Sequence, residues 1–307
     1  MEETKQTLTP ETTEGHKAGF VNIVGNPNVG KSTLMNDLVG ERISIITSKA
    51  QTTRHRIMGI VSGEDFQIVY SDTPGILKPS YKLQESMMKF VTGALTDADV
   101  ILYVTDTVEQ SERSAEIVDS IRRSGIPTVV VINKIDLSTP EALEALVDKW
   151  QAEIPGAQVV PTSAKENFNI EGLFRTILSL LPEGPAFYPK DTLTDKTLRF
   201  FASEIIREKI LKFYDKEIPY CCEIEIESYK EEPAIDRIAA TIYVARDSQK
   251  GILIGHKGEK LKRVGQTARE DMEQFLGKKV FLQLFVKVSD DWRNNERQLR
   301  RFGYEQE

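Results

Sequence analysis

The eight residues GNPNVGKS, Gly25 to Ser32, constrain this chain more than any other stretch. They fit the pattern G-x-x-x-x-G-K-[S/T], follow the apolar run FVNIV, and open the helical run STLMNDLV. Strand, glycine-rich loop and helix in that order form a phosphate cradle. The glycines let backbone N–H groups turn inward, and the helix adds the positive end of its dipole. Gly25, Asn26, Asn28, Val29 and Gly30 are therefore expected to wrap phosphate oxygens, with Thr33 beside them. Lys31 is expected to reach the β- and γ-phosphates, and Ser32 to ligate Mg²⁺.

From Phe20 to Leu181 short apolar runs alternate with longer helical stretches. FVNIVG (20–25), FQIVYSDTPG (66–75), VILYVTD (100–106), TVVVINK (128–134) and AQVVPTSA (157–164) read as strands, and EALEALVDKWQAEI (141–154) as a helix between them. This alternation predicts an α/β domain with a doubly wound, mainly parallel sheet that binds ligands at the carboxyl ends of its strands. Three further strings stand at such ends. SDTPG puts Asp72 where it can hold the magnesium shell, and Gly75 where its N–H can face a γ-phosphate. In NKID (Asn133, Lys134, Asp136), the Asp136 carboxylate can accept both N1–H and N2–H₂ of guanine. Adenine lacks that donor pair and would leave the carboxylate unpaired, so the string selects GTP over ATP. Lys134 can lay its stem along the base. TSAK (Ser163, Ala164, Lys165) is expected to offer the Ala164 N–H to guanine O6, with Lys165 over the other face.

Between the first two strings lies ITSKAQTTRHRIMGI, Ile46 to Ile60, a polar loop leading into a strand. Of its three threonines, one of the adjacent pair Thr52 and Thr53 can close over Mg²⁺ and the γ-phosphate and act as a switch, Thr53 being favoured over Thr52. Arg54, His55 and Arg56 in the same loop are expected to face solvent. The residue after DTPG is Ile76, where many signalling GTPases have a water-orienting glutamine, so intrinsic hydrolysis is expected to be slow. Asn28 resembles an asparagine that certain GTPases use to hold K⁺ beside the phosphates; the alternative is a plain turn residue.

The 307 residues suffice for two ordinary domains, and 40% apolar with 28% charged residues is the composition of a soluble globular protein. The start, MEETKQTLTPETTEGHKAG, is polar and Thr/Glu-rich, so residues 1–18 are expected to form a disordered arm rather than a secretory signal. No apolar run reaches the length of a membrane span. Two adjacent cysteines, Cys221 and Cys222, in what reads as a strand would bridge only with strain, and with three histidines they make no metal framework. A reduced, cytosolic setting follows. The net charge of −7 is unevenly spread: 18 Lys/Arg face 25 Asp/Glu in residues 1–190, but 22 face 22 from Asp191 onward. The acidic excess belongs to the front half.

A linker at 182–197, with Pro182, Pro185 and Pro189, separates the domain at 19–181 from a second one at 198–307. There the order becomes helix (198–213), strand (221–229), strand (235–245), helices (254–275) and strand (280–288), an α+β module. Within it stands ILIGHKGEKLKRVG, Ile252 to Gly265. It is no second nucleotide loop, since two residues separate its glycines and no G-K-[S/T] follows. Leu261, Val264, Ala268, Met272 and Phe275 fall at helical spacing for a core face. Six basic residues against two acidic lie between Arg246 and Arg263. Glycines admitting a phosphodiester backbone, basic side chains neutralising it and an apolar groove beside them meet the needs of a type II KH domain, whose G-x-x-G loop clamps single-stranded RNA. Ile254, Gly255, His256, Lys257, Gly258, Lys260, Lys262 and Arg263 are the candidate contacts. Trp292 is expected to pack on the last helix, with base stacking as the alternative.

A P-loop GTPase joined by a proline-rich linker to a KH module resembles the Era family of GTPases. NPNVGKSTL, KAQTTRHRI, DTPG, NKID, IGHKGEKLK and AREDMEQF carry the resemblance, which runs from about Gly19 to Tyr304. It implies GTP/GDP and Mg²⁺ as ligands, binding to the 3′ end of 16S rRNA, and a role in maturing the small ribosomal subunit. The setting it implies is a monomer in the cytoplasm, with peripheral contact at the inner face of the cell membrane as a further expectation. A competing reading is a GTP-regulated membrane or cell-cycle adaptor whose second domain binds protein or lipid. A tRNA-modifying GTPase is a third, but no modification chemistry is visible.

Overall fold

A computed structural model describes residues 15–108 and 115–304, so most of the expected arm lies outside the described residues. The first half builds a six-stranded sheet in the order β2-β3-β1-β4-β5-β6: β1 Lys17–Gly25, β2 Ile57–Ser62, β3 Phe66–Asp72, β4 Val100–Asp106, β5 Thr128–Asn133 and β6 Gln158–Pro161. All neighbours are parallel except β2 on β3. Every residue of β4 and β5 is buried, because helices cover both faces and no alternation with polar residues is needed. Helices α1 (Lys31–Val39) and α5 (Ile170–Leu180) cover one face through Leu34, Leu38, Leu173 and Ile177. Helices α2 (Lys82–Thr96), α3 (Ala115–Ser124) and α4 (Pro140–Glu153) cover the other through Val91, Ile117, Ile121 and Trp150.

Three boundaries differ from expectation. β1 begins at Lys17, so Lys17 and Ala18 belong to the sheet and not to an arm. The Lys17 ammonium explains this, donating to the Leu178 carbonyl at 3.0 Å. β2, antiparallel and at the edge, is a strand absent from the sequence-based set of five. The expected linker is bound along that edge: Ile60 N–H donates to Leu193 O at 2.8 Å, and the Gln67 amide holds the backbone of Phe187 and Tyr188. The segment covers an otherwise open edge instead of acting as a spacer.

The second half comprises α6 (Leu198–Phe213), the single turn α7 (Ile218–Cys221), β7 (Glu223–Lys230), β8 (Ile235–Val244), α8 (Asp247–Ile254), α9 (Glu259–Leu276), β9 (Lys279–Val288) and α10 (Glu296–Arg301). Its sheet runs β7-β8-β9, antiparallel then parallel. Ile206, Ile210, Ile238, Ile242, Val264, Ala268 and Met272 form its core. Phe275, expected there, is 45% exposed and lies against Phe201 instead. Cys221 is helical, not in a strand, since Pro219 starts a helical turn that delays β7 to Glu223. Both cysteines are buried and free. Trp292 is fully buried and donates its indole N–H to Cys221 O at 2.9 Å, which removes the base-stacking alternative. It packs with Leu299 and Tyr304 against Leu83 and Met87 of α2, tying the tail to the first domain. Among the described residues no helix is long and apolar enough to cross a membrane.

Candidate functional site

The loop between β1 and α1 is built on close approach. A Cβ on Gly25 would stand 2.1 Å from the Val104 carbonyl oxygen, and one on Gly30 would stand 2.2 Å from Asn133 Nδ2. Both glycines have positive φ. Lys31 is buried in the loop's concavity, its ammonium donating to Gly25 O at 3.0 Å and Asn26 O at 2.9 Å. Those carbonyls hold the cation where phosphate oxygens would meet it. The Asn26 amide is buried with no hydrogen-bond partner among the described residues. Asn28 takes the left-handed conformation and lines the cleft.

Three oxygen donors from distant segments meet at the start of α1. Ser32 Oγ donates to Asp72 Oδ2 at 2.6 Å and lies 2.9 Å from Thr53 Oγ1, and Thr53 Oγ1 donates to the same carboxylate oxygen at 3.2 Å. Thr52 points elsewhere, its hydroxyl donating to Lys49 O at 2.6 Å. Asp72 Oδ1 is buried with no hydrogen-bond partner of standard geometry among the described residues, and burial raises the carboxyl above its ordinary range, against the lowering effects of the Ser32 hydroxyl and the Lys31 ammonium. Two hydroxyls and an under-bonded carboxylate form an oxygen set suited to a hard divalent cation such as Mg²⁺. A cleft of about 630 Å³ joins this point to Asn28, Lys31, Thr33, Gly75, Lys134 and Lys165. Gly75 is there by close packing, as a Cβ would sit 2.8 Å from Pro27 Cα. Ile76 is buried, and its N–H donates to Gly25 O at 3.1 Å.

At the base end, Asn133 and Ala164, both expected on the guanine side, also bond to each other. Asn133 is spent inside the protein: Nδ2 donates to Val29 O at 2.9 Å and Oδ1 accepts the Ala164 N–H at 3.0 Å. Asn133 thus braces the phosphate loop against the Thr162–Lys165 loop, and the Ala164 N–H, expected to face guanine, is turned to it. Asp136 keeps an exposed carboxylate, steadied by the Ser163 hydroxyl at 2.6 Å. Lys134 donates to Asn28 O and to Asp106 Oδ2, both at 2.6 Å, and Lys165 is exposed beside Glu166. Asp106 was missed; its only sequence signal is an aspartate ending the run VILYVTD.

The Arg54–Arg56 segment departs furthest from expectation. Arg54 is fully buried between the domains, donating to Cys222 O at 2.7 Å, Pro219 O at 3.0 Å and Glu223 Oε2 at 3.1 Å. Tyr304 donates its hydroxyl to the same Glu223 oxygen at 2.6 Å, and the His55 ring stacks on Tyr304 at 4.3 Å. Desolvation, then the Arg207, Lys196 and Arg54 charges, push His55 down to about 3, so the ring is neutral. Arg56 bonds Ser71, Asn22 and Asp97 within the first domain. Their partners lie too far along the chain to be read from the loop itself.

In the second domain α8 ends at Gly255, whose φ of 73° and ψ of −179° only glycine adopts readily. Lys257 and Gly258 also have positive φ, and α9 starts at Glu259. His256, Lys257, Lys260, Lys262 and Arg263 are arrayed around this loop, all exposed, and Ile254 is half-buried behind it. The Arg263 guanidinium sits over Phe213 at 4.2 Å, and the Lys260 ammonium over Tyr214 at 5.8 Å. The arrangement is a cationic turn, and among the described residues nothing lies within 4 Å of where a Cβ on Gly258 would stand.

Comparison with known proteins finds two families, one in each half of the chain. A family described as 50S ribosome-binding GTPase matches residues 20–134, and the KH domain family matches residues 217–293. GTPase Era of Staphylococcus haemolyticus is 45% identical over 94% of this chain and 97% of its own. GTPase Era of Alkaliphilus metalliredigens is likewise 45% identical, over 94% of this chain and 99% of its own. Among solved structures, Era in complex with MgGDPNP and nucleotides 1506–1542 of 16S ribosomal RNA superposes with a TM-score of 0.91 at 40% identity, covering 95% of this chain and 100% of that one. A single-residue variant of Aquifex aeolicus Era bound to GDP·AlF4⁻ gives 0.90 at 41% identity, covering 94% and 100%.

Proposed function

The chain belongs to the Era family of GTPases, and from that premise we propose that it hydrolyses GTP while gripping the 3′ end of 16S rRNA during maturation of the small ribosomal subunit. The observation carrying this reading is the pairing, in one molecule, of the Ser32–Thr53–Asp72 oxygen set with an exposed cationic G-x-x-G loop. Backbone N–H groups of the phosphate loop bind the phosphates, and Lys31 moves its ammonium from the Gly25 and Asn26 carbonyls onto the β- and γ-phosphate oxygens. Ser32 and Thr53 hold Mg²⁺, with Asp72 bonded to both hydroxyls. Bound there, Mg²⁺ neutralises charge building on the β–γ bridge. Asp136 takes the guanine N–H donors, Lys134 and Lys165 flank the base, and Ala164 reaches O6 only if its N–H is shared with Asn133.

RNA is held at Ile254–Gly258, where glycine backbone admits the phosphodiester chain and Lys257, Lys260, Lys262 and Arg263 neutralise it. Since Ile76 is apolar and buried, no side chain at that position orients water. We assign Asn28 the role of holding K⁺ beside the phosphates, because it lines the cleft in the same loop as Lys31. Hydrolysis of GTP and ATP with Mg²⁺, in KCl and in NaCl, tests this. GTP is expected to be cleaved slowly and ATP not at all, with a faster rate in KCl. Equal rates in the two salts remove the K⁺ role, and equal cleavage of ATP removes the Asp136 assignment.

A further inference from the structure

The phosphate site and the RNA loop belong to different domains, yet a continuous set of hydrogen bonds joins them. Thr52, next to Thr53, donates its hydroxyl to Lys49 O at 2.6 Å. The Lys49 ammonium crosses to the second domain, donating to Tyr214 O and, at 2.9 Å, to Asp215 Oδ1. Tyr214 is buried, and its hydroxyl donates to Leu253 O at 2.6 Å. Leu253 lies in the last turn of α8, two residues before Gly255. Carbonyls in a helix's last turn have no partner within the helix, so this hydroxyl takes up one that would otherwise be orphaned. It thereby fixes how α8 delivers the chain into the glycine loop. The same ring carries Lys260, one of the loop's phosphate-facing cations. One residue thus touches the switch loop through its backbone and the RNA loop through its side chain.

We propose that Tyr214 is the positioning residue coupling the two sites, relaying the state of the Ile46–Thr53 switch loop, held through Lys49, to the Gly255–Gly258 loop, held through Leu253. The proposal rests on the GTPase and RNA-binding reading above and adds its regulation. Thr53 already stands on Ser32 and Asp72 here, so the Lys49–Tyr214 link belongs to the closed switch; when Thr53 leaves, Thr52 and Lys49 move with it, and the Tyr214 backbone loses its ammonium partner. The hydroxyl at the other end of the ring then shifts the Leu253 carbonyl and the turn behind it. Because coupling is reciprocal, RNA at the loop must stabilise the closed switch by the same factor.

The test measures the dissociation constant of the full chain for a single-stranded oligoribonucleotide copying the rRNA 3′ end, with Mg²⁺GDP and with a non-hydrolysable GTP analogue. Wild type is expected to show a ratio between the two states of at least about fivefold. Tyr214→Phe removes only the hydroxyl and is expected to bring the ratio within about twofold of one, leaving GDP affinity unchanged. Lys49→Met, cutting the link at its other end, is expected to collapse the ratio as well, and it serves if Tyr214→Phe does not fold. A folded Tyr214→Phe that keeps the wild-type ratio overturns the relay. A wild-type ratio of one overturns it too, while leaving RNA binding standing. Absence of RNA binding by wild type in both states sinks the RNA reading and the relay together.

Discussion

Arg54→Ala is expected to destabilise the chain by about 3–5 kcal/mol, the usual cost of removing one partner from a buried ion pair. The guanidinium serves two carbonyls and Glu223 at once, in a place with no access to water. Without it Glu223 keeps the Tyr304 hydroxyl as its side-chain hydrogen-bond partner among the described residues. Burial already holds the Glu223 carboxyl above its ordinary value of 4.5, against the lowering effect of Arg54. A folded-state value above the unfolded one means that the folded state binds more protons. Stability then falls as pH rises through that window. Losing Arg54 raises the value further, so the variant's deficit should grow from acid toward neutral pH. Denaturant unfolding at several pH values measures this. Arg54→Ala/Glu223→Gln should recover part of the loss, because it removes the orphaned charge; a double variant no more stable than the single one contradicts the pairing.

Asp72→Asn is expected to reduce Mg²⁺-dependent GTP hydrolysis by about 10²–10³-fold while leaving the melting temperature unchanged or higher. The two effects share one cause. Buried Asp72 carries an oxygen with no hydrogen-bond partner of standard geometry among the described residues, and its carboxyl is shifted upward by desolvation. In the metal-free protein the charged form is therefore unfavourable, and stability should fall as pH rises past the ordinary carboxylate value. An amide removes that cost but also removes the negative charge that holds the Ser32 and Thr53 hydroxyls in a cation-binding set. Strain of this sort is what a binding site stores for its ligand. A single-turnover GTPase assay beside a thermal melt checks both halves; retained activity, or a melt lowered by many degrees, contradicts the account.

The nucleotide strings are legible in sequence because each is local. A turn needs its glycines, a helix N-terminus its lysine and serine, and a strand end its aspartate, all within a few residues. The G-x-x-G turn is legible on the same grounds. What escaped depends on partners far along the chain. Arg54 reads as a solvent-facing arginine until Cys222 and Glu223 come within 3.1 Å of it. Lys17 reads as the end of an arm until Leu178 supplies a carbonyl. The proline-rich segment reads as a spacer until Gln67 holds its backbone. The bracing role of Asn133 escaped for the same reason, since Val29 and Ala164 lie far from it along the chain. Trp292 was ambiguous because exposure is a tertiary property, and its burial follows from the Cys221 carbonyl it reaches.

The central claim, a GTPase that grips RNA through its glycine turn, is tested most directly at Gly258. Its φ of 81° and ψ of 6° lie in the left-handed region that aspartate tolerates, and nothing stands within 4 Å of a Cβ placed there. Gly258→Asp therefore adds a negative charge to the turn without a clash. Gly255→Asp is less clean, since its Cβ would sit 2.7 Å from Lys260 Cγ in a conformation only glycine favours. The measurement is the affinity of wild type and Gly258→Asp for a single-stranded copy of the 16S rRNA 3′ end across a salt series, with GTP affinity determined in parallel. The account predicts wild-type binding that weakens with salt, at least about tenfold weaker binding by the variant, and the same GTP affinity in both. Equal RNA affinity of the two proteins would contradict it.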